Sequence, residues 1–544
     1  MTPRFKVLAA DKLAEEGLAY LRAQADVELT VKPGLNEEQL AQIVGEYDGM
    51  IVRSGVQVTA KVLAQPGRLK VVARAGVGVD NIDVDAATAA GILVMNSAEA
   101  STITTAEHAF ALMMALSRNI GQAHETMHAG GWDRNRFQGH PLAGRTLGVV
   151  GFGRIGQTVA SRALAFDMQV LAYDPFYNAA TAMDGRVKLF SQFTELLPHA
   201  DILTFHVPLN AQTRHMLSAE TFKLCRKGVM LVNAARGGII DEAALAAAIE
   251  SGQCAGAALD VFETEPLPPD SPLRRQSGLL LTPHLGASTV EAQEAVSIDA
   301  SVSLLEFLRG ESVRGAVNVT GLRLDLEPQQ ARYVDLAKRM AMLLGPMIAE
   351  GIAQVTVQVA GESLQNVATT IERMALIGLL QPHLATRLNL VNVRHAAEQR
   401  GITLRTLTGD NEKRLGTYIA IEVHGGERTH RIVGRVYDDM RPRVVEINGY
   451  HMDIVPAGHM VMIRNEDRPG MIGLVGTEFG QSQVNIADMA ISRRGDSALM
   501  LLRVDSEPPV SLVNRLLSRP GILKIALVRL PELGASSSAD QKSV

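Results

Sequence analysis

The sequence predicts an α/β protein with parallel sheets, extended toward its C-terminus by two α+β modules. Three observations carry that expectation. Short β-rich apolar runs alternate with helical periodicity through residues 1–98 and again through 146–286, the order that builds parallel sheets covered by helices. The stretch 146–174 sets a strand, a glycine-rich turn, a helix and a second strand in immediate succession. Beyond residue 320 the alternation stops, and the segment 458–531 follows a βαββαβ plan.

Composition narrows the function classes. The chain has 544 residues, 47% hydrophobic and 20% charged, an ordinary globular composition with room for three or four domains of about 150 residues. A formal net charge of -5 and the lack of a basic run argue against nucleic-acid binding. The two cysteines, Cys225 and Cys254, form neither a disulfide framework nor a metal-ligand cluster, so no metal is expected. No apolar stretch is long enough for a signal peptide or a membrane span, which makes a soluble, cytoplasmic protein the expectation.

In the first segment, 5–10, 27–31, 49–52, 69–73 and 92–95 read as strands, and 12–24 and 37–47 as helices. Ligands of a parallel sheet gather at the carboxyl ends of its strands. Arg53 with Ser54, Arg74, and the glycine loop Gly76-Val77-Gly78 sit at such ends. An arginine after a strand is commonly just solvated, but two at equivalent positions favour an anionic ligand. A helix over 102–119 is apolar over much of its surface and is expected to be buried. After it come His124, His128, Trp132, Arg134 and Arg136. Trp132, the sole tryptophan, is expected to pack, and the two arginines read most simply as part of an exposed loop.

The strand 146–150 runs into Gly151, Gly153 and Gly156, and the helix 154–166 opens on Arg154 and Ile155. In this Rossmann-type fingerprint Gly151 makes the tight turn, and Gly153 lets the backbone approach a pyrophosphate at the helix N-terminus. Gly156 lets helix and strand pack closely. Asp174, ending the strand 169–173, is placed to accept hydrogen bonds from an adenosine ribose and favours NAD over NADP. Further strands over 201–207, 229–234, 255–259 and 279–282 present His206 and Pro208, Ala234 and Arg236, Asp260 with Glu265 after it, and His284 with Gly286. A histidine with an acid and a cation placed to meet it is a proton-transfer constellation.

The motifs AGVGVDNID (75–83), GFGRIG (151–156), NAARGGIIDE (233–242), ALDVFETEP (258–266) and TPHLGAS (282–288) resemble those of the D-isomer-specific 2-hydroxyacid dehydrogenases. Over nearly the whole chain the likeness is to that family's long-form branch, which oxidises 3-phosphoglycerate in the first step of L-serine synthesis. The resemblance implies a Rossmann-type NAD domain (99–286) inserted in a flavodoxin-like substrate domain (1–98 and 287–318), with a helix over 289–310 as the return. It also implies an α+β intervening domain (320–455) that is regulatory or anion-binding, and a ferredoxin-like ACT domain (458–531). The tail, 532–544, is polar and expected to be disordered.

By the same resemblance His284 exchanges the substrate proton, Glu265 orients its ring, and Arg236 clamps the carboxylate. NAD contacts fall to Gly151, Gly153, Arg154, Ile155, Gly156, Asp174, His206, Pro208, Ala234, Arg236, Asp260, His284 and Gly286. Substrate contacts fall to Arg53, Ser54, Arg74, Gly76, Gly78 and Arg236, with Arg134 reaching across the interface of a homodimer or homotetramer. Ser101 stands where many relatives carry a substrate-contacting Asn, which leaves substrate affinity and a side activity on 2-oxoglutarate open. Asn465, Asp467 and Asn485 match the pocket of an amino-acid effector, here L-serine. Three alternatives stay open: a different 2-hydroxy or 2-oxo acid, a corepressor-like NAD-sensing binding protein, and an ACT module that serves assembly alone.

Overall fold

Pairing in the first segment follows the predicted strands closely. In a computed structural model, which describes residues 4–533 except 178, 349–350, 410–415 and 427, Phe5–Ala9, Val27–Val31, Gly49–Val52, Val71–Arg74 and Leu93–Asn96 form one parallel sheet. The spatial order is second, first, third, fourth, fifth. That is the flavodoxin-like order, whose ligand crevice lies beyond the carboxyl ends of the strands. Arg74 is the last residue of its strand, and Arg53 follows Val52 directly. The expected disordered tail lies, from residue 534 onward, outside the described residues.

The chain returns to this sheet through the helix Val290–Arg309. The Thr289 side chain caps its start by accepting from the Ala292 amide, and Gly310, at φ 76°, ends it in the left-handed conformation, as glycine does at helix ends. The helix packs on Glu15–Arg22 so closely that a Cβ on Gly17 would stand 2.1 Å from the Ser297 hydroxyl and 2.6 Å from its carbonyl oxygen. Beyond it, the Asn318 side chain accepts from the Val94 amide at 2.9 Å and donates to the Ile92 carbonyl at 2.9 Å.

The second sheet has the order Leu279–Leu281, Cys254–Leu259, Val229–Asn233, Ile202–Phe205, Thr146–Val150, Gln169–Tyr173, Val187–Phe190, Thr181–Ala182. Every pair is parallel except the last. Ile202–Phe205 and Val229–Asn233 are buried at every position, because helices cover both faces of a parallel sheet. The two strands at the edge beyond Gln169–Tyr173 were not expected from the sequence.

The helix predicted over 102–119 runs Thr102–Ser117, and a second helix, Ile120–His128, which the sequence did not predict, follows it. Thr102–Ser117 buries Ala106, Ala109, Phe110 and Met113, while Ile103 and Met114 stay exposed. Asn119, left-handed at φ 54°, then starts Ile120–His128 in a new direction. Trp132 does not pack: the chain leaves the helix at Ala129 and runs over the surface, and the indole is 77% exposed. Arg134 and Arg136 are exposed beside it.

The third sheet is mixed: Thr403–Gly409 pairs in parallel with Gln354–Ala360, and Tyr418–Gly425, Arg428–Val436, Pro442–Ile447 and Tyr450–Ile454 follow antiparallel. The helices Pro328–Leu344 and Ala368–Leu380 pack together on it. The fourth sheet realises the βαββαβ plan, its strands Gly458–Glu466, Ile486–Arg494, Ser497–Val504 and Ile522–Leu530 all pairing antiparallel. No described helix is long and apolar enough to cross a membrane.

Gly17→Ala tests the packing of the return helix. Alanine is the better helix former by ~1 kcal/mol, yet the added methyl must displace backbone, which costs about 1–3 kcal/mol. The thermal midpoint should fall by several degrees in differential scanning calorimetry; a midpoint unchanged or raised would show that the two helices do not touch at backbone distance.

Candidate active site

The glycine-rich turn has the shape a pyrophosphate needs. Gly151, at φ 93°, lies where a Cβ would stand 2.6 Å from the His206 carbonyl, and a Cβ on Gly156 would stand 2.0 Å from the Gly151 carbonyl. Gly153 caps the helix Arg154–Ala165 with no side-chain acceptor, and a Cβ there would meet nothing within 4 Å. The first-turn amides, among them those of Arg154 and Ile155, therefore face open space, a ready anion site. Asp174 closes the turn from the next strand, accepting from the Phe152 amide and the Phe176 amide, each at 2.9 Å. These residues fit a dinucleotide.

His206 and Pro208 follow the strand Ile202–Phe205 beside Gly151. Thr204 Oγ1 is 3.0 Å from His206 Nε2, and burial pushes this ring down to about 4, so it is neutral near pH 7. Ala234 is buried where the strand Val229–Asn233 gives way to Arg236. Together these strand ends line the same crevice as the glycine turn.

The histidine–carboxylate contact that the sequence implied is present. His284 Nδ1 lies 2.7 Å from Glu265 Oε2, and Glu265 Oε1 accepts from the Phe262 amide at 3.0 Å. Burial works to raise the Glu265 pKa, but the His284 ring, the Phe262 amide and the Arg236 charge outweigh it and hold the carboxylate below its usual value. With Nδ1 so engaged, Nε2 is the atom left to exchange a proton with a ligand. His284 itself is left-handed at φ 56°, an uncommon backbone state that persists only where the surroundings enforce it.

Asp260 enforces it. Its carboxylate is fully buried and accepts from Thr282 Oγ1 at 2.6 Å, the Leu285 amide at 2.7 Å and the Gly286 amide at 2.8 Å. His108 Nε2, from the helix Thr102–Ser117, stands 3.1 Å away. Burial raises the Asp260 pKa, and these donors more than reverse it. The structure thus makes Asp260 the clamp of the 282–286 loop. The sequence reading missed His108 and Thr282; a histidine amid the apolar residues of a packed helix was the available signal for the first.

On the opposite wall, Arg74 and Arg236 face each other across the glycine loop. A Cβ on Gly76 would stand 1.9 Å from Arg74 Nη1, and one on Gly78 would stand 1.6 Å from Arg236 Nη2. Burial, then repulsion from Arg236, pushes Arg74 down to about 10, and its Nε is buried without a hydrogen-bond partner. Arg236 gives Nε to Asp80 at 2.8 Å, a residue the sequence reading passed over although it sits inside the first motif. Arg53 is close enough to add to the field on Arg74, while Ser54 is exposed. Arg134 is exposed on the surface segment that follows the helix Ile120–His128. Ser101, buried at the start of Thr102–Ser117, has a hydroxyl without a partner. No described grouping of three or more His, Cys, Asp or Glu side chains is suited to a metal.

The three residues matched by resemblance to an effector pocket do not meet within one chain. Asn465 pairs with Ala498, whereas Ile486, next to Asn485, pairs with Val504. That spacing along one strand is about 20 Å at ~3.3 Å per residue. Asn465 is buried with an unpartnered Oδ1, Asp467 pairs with Arg493 at 3.2 Å, and Asn485 donates to Asp505 at 2.7 Å.

Comparison with known proteins agrees with this anatomy. Residues 110–286 match the D-isomer specific 2-hydroxyacid dehydrogenase NAD binding domain, 329–448 the D-3-phosphoglycerate dehydrogenase intervening domain, and 459–521 the ACT domain. D-3-phosphoglycerate dehydrogenase of Archaeoglobus fulgidus is 38% identical over 96% of this chain and 100% of its own length. That of Bacillus subtilis is 38% identical over 97% and 100%. Among solved structures, a glyoxylate reductase from Paecilomyes thermophila has a TM-score of 0.53 at 31% identity, covering 58% of this chain and 99% of its own. An NAD-dependent formate dehydrogenase from Staphylococcus aureus, in complex with NAD, has a TM-score of 0.53 at 28% identity over 58% and 99%.

The pH dependence of catalysis tests the His284–Glu265 pair. An anionic partner favours the imidazolium form, so Glu265→Gln should move the acid limb of the oxidation profile, where the ring must be neutral to accept a proton, to lower pH while reducing the rate. A limb that stays in place would show that the carboxylate is not the charged partner of the reacting ring.

Proposed function

The chain belongs to the D-3-phosphoglycerate dehydrogenase family, and on that premise we propose that it oxidises the C2 hydroxyl of 3-phospho-D-glycerate, giving 3-phosphohydroxypyruvate at the entry to serine synthesis. NAD+, when bound, accepts the hydride from C2. His284 takes the hydroxyl proton in this direction and returns it in the other. Glu265 holds the ring and stabilises its charged form, and Arg236 grips the carboxylate and polarises the C2 oxygen, as a planar cation can. We assign the phosphate to Arg53 and Arg74. The observation that carries the reading is the facing pair Arg74 and Arg236, two guanidiniums with an unpartnered buried Nε between domains, beside a histidine–carboxylate pair at 2.7 Å.

This reading divides the labour as the sequence suggested: substrate on 1–98 with 287–318, NAD on 99–286, and intervening and ACT modules behind them, in the cytoplasm. Self-association is part of it. Ile103, Ile120, Met127 and Trp132 are 62, 53, 52 and 77% exposed on or just after two adjoining helices, and apolar surface that gathers in this way marks an interaction face. A homodimer or homotetramer covers them and brings Arg134 to a partner's substrate.

Fluorescence of NADH with 3-phosphohydroxypyruvate is the test. The wild type should consume NADH, and His284→Ala should lose ~10²–10⁴ in turnover with NADH binding kept. Arg53→Ala should lose about tenfold or more in efficiency on the phosphorylated substrate relative to hydroxypyruvate. A wild type that reduces hydroxypyruvate or 2-oxoglutarate better would replace the substrate; one that consumes no NADH would leave the binding-protein alternative.

The ACT module we assign to L-serine. Asp467 and Asn485, far apart in one chain, complete a pocket when two modules pair, with Asp467 accepting from the ammonium group and Asn465 meeting the hydroxyl. Calorimetric titration should show L-serine binding that Asp467→Ala abolishes, with a matching change in rate. No binding at millimolar serine would reduce the module to an assembly element.

A further inference from the structure

One charged side chain outside the assigned set bears directly on the reaction machinery. Asp80 lies in the loop between Val71–Arg74 and the helix Val84–Ala89, and its Oδ2 accepts a 2.8 Å bond from Nε of Arg236, which follows a strand of the other sheet. We propose that Asp80 is a positioning residue for hydride transfer: it fixes the Arg236 guanidinium across the cleft between the two sheets, so that Nη2 stays turned toward the substrate. The inference rests on the reading of Arg236 given above.

The allocation of the guanidinium nitrogens supports it. Nε goes to Asp80, and Nη1 donates to the Ala235 carbonyl at 2.6 Å. Both bonds are made within the protein, and they lock the plane of the group from two sides. Nη2 is left packed over Gly78 at the edge of the crevice, the one terminal nitrogen with no acceptor among the described residues. A lysine there could not divide its donors in this way, because its ammonium is a single point on a flexible stem.

Gly78 supplies an independent argument. It does not have the left-handed backbone that calls for glycine, yet a Cβ there would stand 1.6 Å from Arg236 Nη2 and 2.6 Å from Asp80 Oδ2. The space a side chain would fill is occupied by the ion pair itself. Glycine at 78 is therefore required by the pair, not by the turn.

Charge balance gives the third argument. Arg74 is shifted by Arg236 and by Asp80 in opposite senses, so the carboxylate bonded to Arg236 also offsets part of the repulsion between the two guanidiniums. An exposed ion pair contributes little to stability, and Asp80 is 63% exposed against 23% for Arg236. The consequence of losing it is misorientation of Arg236, not unfolding. The cleft would also become more positive, which holds or tightens the grip on an anion. That predicts a fall in kcat with KM unchanged or lower, a split that a merely structural carboxylate does not produce.

Asp80→Ala and Asp80→Asn should be compared with wild type on whichever 2-oxo acid the wild type reduces, so that a wrong substrate assignment shows in the wild type and leaves this comparison standing. Asp80→Ala should lose roughly 10- to 100-fold in kcat, as sub-ångström to ångström misplacement of a catalytic group does. KM should stay level or fall, and NADH affinity and thermal midpoint should be unchanged. Asp80→Asn should lose less, because its amide oxygen still accepts from Nε. Adding Asp80→Ala to Arg236→Lys should lower kcat little further. A kcat within twofold of wild type, a loss that appears as raised KM, a lowered midpoint in both variants, or fully multiplicative losses in the double variant would each overturn the proposal.

Discussion

The site depends first on one buried carboxylate. Asp260 has no exposed surface, and a carboxylate there without partners would be unsustainable. It is sustained by a hydroxyl, two backbone amides and the His108 ring, all from residues that must therefore hold fixed positions. Its own backbone carbonyl also accepts from the His284 amide at 2.9 Å. Three elements are tied at that point: the strand Cys254–Leu259, the helix Thr102–Ser117, and the loop after Leu279–Leu281. His284 is held in its left-handed conformation by those ties, and its ring meets Glu265 as a result. The geometry of the His284–Glu265 pair is set by Asp260, a group that touches neither ring nor carboxylate of that pair.

The opposite wall works by an unbalanced charge. Where Asp260 is saturated with donors, Arg74 is half-buried with an orphaned Nε and a pKa drawn down to about 10. Repulsion from Arg236 contributes to that shift, and Asp80 offsets it only in part. Buried donors without acceptors cost free energy that a bound acceptor restores. A doubly charged phosphate with a carboxylate matches such a wall, whereas a neutral ligand would leave it strained. Arg74 ends a strand of the first sheet, whereas Arg236, Asp260 and His284 follow strands of the second, so the site is complete only where the two sheets face each other.

Much of this was legible in the sequence, because the chemistry sits at strand ends and strand ends follow from periodicity and turn residues. The glycine turn, Asp174, and the succession Arg236, Glu265, His284 needed only that. The return helix was legible to its caps: predicted over 289–310, it runs Val290–Arg309 between Thr289 and Gly310. What failed was decided by tertiary structure. The helix Ile120–His128 went unread: it starts at Asn119, in a backbone state that asparagine tolerates but does not announce. The strand Val187–Phe190, four residues with a lysine inside, is a strand because Gln169–Tyr173 offers it an edge. Trp132 was expected to pack by its chemistry alone, yet it sits on an exposed segment with its indole in solvent. The Asp80–Arg236 bond joins residues 156 positions apart, beyond any local signal.

The hydrophobic cores explain how the rear modules can bear on that cleft. One continuous core contains Val7, Ile51 and Val71 of the first sheet, Leu304 of the return helix, Leu336 and Ile371 of the third layer, and Met462 and Leu501 of the ACT sheet. The sheet that carries His284 has two cores of its own. At the far end, the buried Arg339 donates from the helix Pro328–Leu344 to the Pro456 carbonyl at 3.0 Å and also to the Pro531 carbonyl, stitching the intervening layer to the last strand. At the near end, Asn389 donates to the Gly91 carbonyl of the first sheet at 2.8 Å. Packed interiors transmit displacement because they do not compress. The first sheet thus shares its packing with the intervening and ACT layers, and Asp80 and Arg236 bridge it to the sheet that carries His284.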